Sequence, residues 1–166
     1  PAQETLAGAV TAVEAMTDGL LIYLEHGVCT VQAITPQILR LRVVFGDEMP
    51  AYFSYATLPE ATQPVQWRWQ EDEQRIRIET DAAALIITKA PFGFALEDAS
   101  GQRLSEGTET VGWDAQGAFL SQKYNADTWW YGLGERAFHL ALERRRYVLR
   151  TIDPGTYGPG DDPLYI

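Results

Sequence analysis

Two acidic runs, Glu71-Asp72-Glu73 and Asp161-Asp162, hold the groups best suited to moving a proton. Paired carboxylates act as general acid and base when both face one substrate atom. Neighbours on an extended chain point to opposite faces, so neither run converges, and both read as solvated loop. His26 and His139 lie far apart in sequence, and no serine or cysteine sits in a nucleophile elbow. No catalytic triad is visible. Cys29 is the only cysteine, which excludes an intramolecular disulfide and a thiolate zinc cluster.

Gly132-Leu-Gly134-Glu-Arg-Ala137 matches the spacing of a dinucleotide fingerprint, with Asp153 downstream in place for a ribose contact. That fold needs alternating strands and helices, whereas the residues upstream keep a period of two. The glycines are better read as a corner between strands. Trp129, Trp130 and Tyr131 could form an apolar platform for a sugar ring, but alternation points Trp130 away from its neighbours, so one face of the trio belongs to the core. Arg144, Arg145 and Arg146 follow Glu143 and read as a solvated strand edge.

The elements that would position these residues are strands. Leu39, Leu41, Val43 and Phe45 share one face of Ile38–Phe45, and Arg40 and Arg42 take the other. The same alternation turns Val65, Trp67 and Trp69 inward, likewise Ile76 and Ile78, and it continues through Leu20, Ile22 and Leu24. Further strands are expected over Val28–Ile34, Leu85–Thr88, Phe92–Leu96, Ala118–Tyr124 and Tyr147–Arg150, with turns at Gly46-Asp47, Asp98–Gly101 and Gly117. Only Leu6–Ala15 and Arg136–Arg146 have weak helical character, and Met49–Pro64 reads as a long surface loop. Many short strands with turns at this spacing predict an all-β sandwich.

The 166 residues are 46% hydrophobic, enough for one core that buries roughly two thirds of the unfolded surface. With no repeat and no linker, residues 1–166 are expected to form a single domain. A formal net charge of −10 repels phosphate backbones and anionic lipid, so nucleic acid is not an expected partner. No apolar run approaches the ~20 residues of a membrane-spanning helix. The start lacks the basic and apolar regions of a signal peptide, and a lone cysteine fits a reducing compartment, so the cytoplasm is the expected location. The final Leu164-Tyr165-Ile166 opens a further strand, which suggests a longer polypeptide.

Read in order, Tyr131-Gly-Leu-Gly-Glu135, an arginine-rich strand, Asp153-Pro-Gly-Thr-Tyr-Gly158 and Asp162-Pro-Leu-Tyr165 form a recognisable series. It resembles the N-terminal β-sandwich of family 31 glycoside hydrolases, the family of α-glucosidases and α-xylosidases. Ile38–Arg42, Ile86–Phe94 and the Asp98–Gly101 turn agree with it, so the resemblance spans nearly the whole chain. It implies a galactose-mutarotase-like sandwich at the front of a retaining α-glycosidase. The two catalytic aspartates would then lie on a (β/α)8 barrel beyond Ile166, leaving none in this fragment. It also implies that Asp153 reaches from a loop to the sugar hydroxyls of a carbohydrate substrate, while no cofactor or metal is called for. A carboxylate can accept hydrogen bonds from two adjacent hydroxyls, and Pro154-Gly155 would fix the turn presenting it. Ile152 departs from the small polar residues usual before that aspartate and cannot donate to a sugar.

Two other readings remain open. A stand-alone carbohydrate-binding module would use its tryptophans as a platform. A sugar mutarotase, in which histidines and an acidic partner act on the ring, would need His26 or His139 beside a carboxylate.

Overall fold

The computed structural model describes residues 4–55, 65–108, 111–115, 117–123, 130–131 and 141–142. The chain divides into two compact units, Pro1–Lys123 and Tyr124–Ile166. Every regular element among the described residues is a strand, as the alternating sequence predicts.

In the first unit, β2 (Val10–Ala15), β3 (Gly19–Leu24), β4 (Gly27–Thr35) and β5 (Ile38–Val44) form an antiparallel meander in that order. A second sheet has the order β10-β9-β8-β7-β6, from β6 (Arg68–Glu71), β7 (Arg75–Glu79), β8 (Ala83–Thr88), β9 (Gly93–Asp98) and β10 (Arg103–Thr108). A small sheet joins β1 (Thr5–Leu6), β11 (Val111–Asp114) and β12 (Gly117–Leu120) in the order β1-β11-β12.

Register explains how the two large sheets share a core. Leu20, Val31 and Leu41 stand abreast across β3, β4 and β5, followed by Ile22, Cys29 and Val43. On the facing sheet, Ile76, Ile87 and Phe94 form one row, and Ile78, Leu85 and Leu96 form the next. Residues from both sheets meet in one buried cluster, against which Leu39, Leu41, Val43 and Phe45 also pack. The inward faces read for β3, β5 and β7 are therefore the observed ones. The sandwich buries its apolar faces against each other and leaves the alternate residues outside.

Leu6–Ala15 is extended, contrary to its weak helical character. Gly8 takes φ +83°, which separates β1 from β2, and β2 then pairs with β3 from Val10↔Leu24 to Ala15↔Leu20. Cross-strand pairing and the packing of Val10 and Val13 against the core outweigh the alanines' helix propensity. Strand β6 starts at Arg68, later than the alternation suggested, and Trp69 keeps 36% of its surface exposed. Trp69 does stand opposite buried Ile78, so it is on the core side. However, β6 is four residues long and is the edge strand of its sheet among the described residues. Trp67 packs against the core and donates its indole N–H to the Thr17 carbonyl at 3.3 Å.

In the second unit, β13 (Trp130–Tyr131) pairs antiparallel with β14 (Ala141–Leu142), with Trp130 opposite Leu142 and Tyr131 opposite Ala141. The remainder of Arg136–Arg146, with its weak helical character, and the expected Tyr147–Arg150 strand lie outside the described residues, as do residues 56–64 of the expected loop.

Candidate functional site

Asp153, the residue expected to touch substrate, lies outside the described residues, and so do Gly132, Gly134, His139, Trp129 and Asp161-Asp162. Of the residues singled out, Glu71-Asp72-Glu73 and His26 are described. Asp72 closes the turn between β6 and β7 by accepting the backbone N–H groups of Gln74 at 2.8 Å and Arg75 at 2.7 Å, which hold its carboxyl below the usual range. Glu71 accepts Lys89 Nζ at 2.6 Å. Glu71 ends β6, and the rest of the acidic run, Asp72-Glu73, is exposed turn, as expected for solvated loop. His26 is exposed and sets its ring edge-on to Trp113, 6.4 Å between centroids.

A denser polar constellation covers the outer face of the five-stranded sheet. Alternation on β7 sends Arg75, Arg77 and Glu79 outward, and the register places Arg68, Glu79, Ala84, Glu97 and Arg103 in one row across all five strands. Arg77 donates to Glu97 at 2.8 Å and to Glu79 at 2.7 Å. Arg68 reaches Glu79 at 2.6 Å, and Arg103 bridges Glu97 at 3.0 Å to Glu106 at 2.9 Å. Lys123 ends the ladder on Glu106 at 2.8 Å. The next row, Gln70, Arg77, Ile86, Ala95 and Glu106, has short or apolar residues at its middle. Ala84, Ile86 and Ala95 are buried there beneath the long charged side chains, whose stems cover them.

The hydrogen bond from Arg77, more than any other contact, keeps the Glu79 and Glu97 carboxyls below their ordinary range. Carboxylates held ionised in this way are poor proton donors near neutrality, so the ladder is not a general acid. Among the described residues no cluster of histidine, cysteine, aspartate and glutamate could hold a metal ion. What the face offers is a polar groove of about 270 Å³ lined by Gln70, Glu71, Asp72, Arg75, Arg77, Ile86, Glu97 and Arg103. The outward side of β7 is legible in its alternation, whereas the pairing of Arg77 with Glu97, twenty residues on, depends on strand register.

These sheets define a β-sandwich of antiparallel meanders. Residues 28–166 match the model of the glycosyl hydrolase 31 N-terminal galactose mutarotase-like domain, and the chain belongs to that family. An α-glucosidase of Saccharolobus solfataricus is 35% identical over 78 residues, covering 46% of this chain and 11% of that protein. A family 31 dextranase of Flavobacterium johnsoniae, complexed with isomaltotriose, superposes with a TM-score of 0.81 at 20% identity over 97% of this chain and 20% of the dextranase. The cycloalternan-forming enzyme of Listeria monocytogenes, in complex with a pentasaccharide substrate, gives 0.68 at 16% identity over 84% of this chain and 14% of its own. The structural likenesses concern the fold, and this chain spans a fifth or less of each relative's length.

Proposed function

We propose that the chain is the N-terminal accessory domain of a retaining, α-glucosidase-like glycosidase that hydrolyses O-glycosidic bonds. The observation carrying this reading is the family match over residues 28–166, and the α-glucosidase relative supports the substrate class. Catalytic aspartates belong to an adjacent barrel of the same polypeptide. The part of this domain is to complete the substrate pocket with one loop. Asp153 is the contact residue: an ionised carboxylate accepts hydroxyl hydrogen bonds more strongly than a neutral acceptor does. The buried thiol of Cys29 is compatible with a cytoplasmic setting.

Alone, the 166-residue chain is expected to leave a nitrophenyl α-glycoside intact while the longer protein cleaves it. Turnover by the purified chain would refute an accessory role. In the longer protein, Asp153→Ala should cost about 1.5–3 kcal/mol in kcat/KM, the scale of a hydrogen bond to a charged group. Unchanged kinetics would remove Asp153 from the pocket.

A further inference from the structure

We infer that the groove on the outer face of the five-stranded sheet is itself a carbohydrate site, built from residues of β6 to β10. Its form follows from the sequence of β8. Residues 84 and 86 point outward from that central strand, and they are Ala84 and Ile86. With Ala95 beside them on β9, they form a buried apolar layer beneath the long side chains of β7 and β10, and of the three it is Ile86 that reaches the lining of the groove. The resulting trough of about 270 Å³ falls just below the ~300–1,000 Å³ typical of small-molecule sites. A single sugar ring with part of its neighbour suits that volume.

Charge narrows the ligand class. Arg75, Arg77 and Arg103 line the groove against Glu71, Asp72 and Glu97, so it is balanced within a chain of net charge −10. A cation or an anion gains little there. A neutral ligand with many hydroxyls gains most, because guanidinium, carboxylate and amide groups are planar and offer donors and acceptors in pairs. Ile86 gives the C–H face of a pyranose one apolar contact in that lining. Arg77, Glu97 and Arg103 are held in place by their mutual ion pairs, so their orientation is set before a ligand arrives. Gln70 and Arg75 stand outside that ladder, at the rim, and supply the additional hydrogen bonds. A smaller depression of about 170 Å³ lies across Arg77, bounded by Arg68, Glu79, Asp81 and Asp98. A short oligosaccharide can therefore lie across the sheet with Arg77 between two of its units.

The choice of an α-glucan as ligand rests on the proposed function. The groove's preference for a neutral polyhydroxylated molecule does not. The test titrates the 166-residue chain with isomaltotriose and follows backbone amide NMR shifts. Saturable shifts on β6 to β10 are expected, with Kd raised about fivefold or more by the double variant Gln70→Ala, Arg75→Ala. Both residues are exposed and outside the ladder, so an unchanged Tm should accompany the loss. Shifts confined to residues around Asp153, insensitive to the double variant, would overturn the groove and leave the proposed function standing. Absence of any shift would also overturn it, and hydrolysis by the longer protein would then judge the proposed function alone. If the β7 and β9 amides instead gain hydrogen-exchange protection only when the rest of the polypeptide is present, with no response to sugar, the face is an interdomain surface and the inference fails.

Discussion

The Cys29 thiol lies in the layer between the two large sheets, opposite Ile22 on one side and Val43 on the other. Burial pushes its pKa well above the ordinary thiol range, because the thiolate would lose its hydration with nothing to replace it. A thiol reagent at pH 8 should leave Cys29 unmodified in the folded chain and label it fully in urea. Rapid labelling without denaturant would show that the sandwich opens far more readily than its packing implies. Thr30, the next residue, points to the other side of β4 and is buried there as well. That strand is covered on both faces. On the outer side Arg40 and Arg42 gather around Tyr52, 3.8 Å and 5.3 Å from its ring centroid, and Arg42 donates to the Pro50 carbonyl at 3.0 Å. The start of the expected Met49–Pro64 loop is therefore pinned to the arginine face of β5. Alternation placed Arg40 and Arg42 on the face opposite the core and carried no sign of this cover.

Strands had to be found before any residue could be placed, and they differ in how plainly they announce themselves. β3, β5 and β7 alternate strictly, and their inward residues are legible without coordinates. β10 and β11 are not: Arg103-Leu-Ser-Glu-Gly-Thr108 has one large apolar residue, at a register shift, and Val111-Gly-Trp-Asp114 is four residues with a glycine inside. Such segments become strands through the backbone hydrogen bonds their neighbours offer, and local pattern carries little of that. Gly19 shows the converse, a small residue demanded by a neighbour. It pairs with Gln32, and a Cβ there would overlap the Val31 carbonyl oxygen, a backbone atom with little room to yield. Gly19→Ala should lower stability by about 1–3 kcal/mol, the cost of overpacking, as read from urea denaturation. An unchanged midpoint would mean that β3 and β4 are spaced more loosely at that end.

At the level of the whole molecule, the outer ladder ties the five-stranded sheet together from β6 to β10, and its carboxylates link stability to pH. Glu79 and Glu97 have folded-state pKa values lowered chiefly by Arg77, so their contribution is complete above the ordinary carboxyl value of about 4.3 and is lost as pH falls through the lowered ones. The urea midpoint should be flat from pH 7 to about 5 and fall steadily from about pH 4.5 downward. A midpoint that holds to pH 3 would show the ladder to be energetically idle, as many exposed ion pairs are. By itself the sequence determined the all-β class, the inward faces of the central strands and, through its ordered glycine and aspartate motifs, the family. These depend on side-chain period and local turn chemistry, which a chain carries in its own order of residues. Tertiary structure alone decided that Leu6–Ala15 is extended and that Trp69, on a short edge strand, keeps 36% of its surface exposed. It also decided that Arg77 meets Glu97 above a floor of Ala84, Ile86 and Ala95. Each of those depends on which strand lies next to which, and in what register, and strand pairing is settled by the fit of whole sheets.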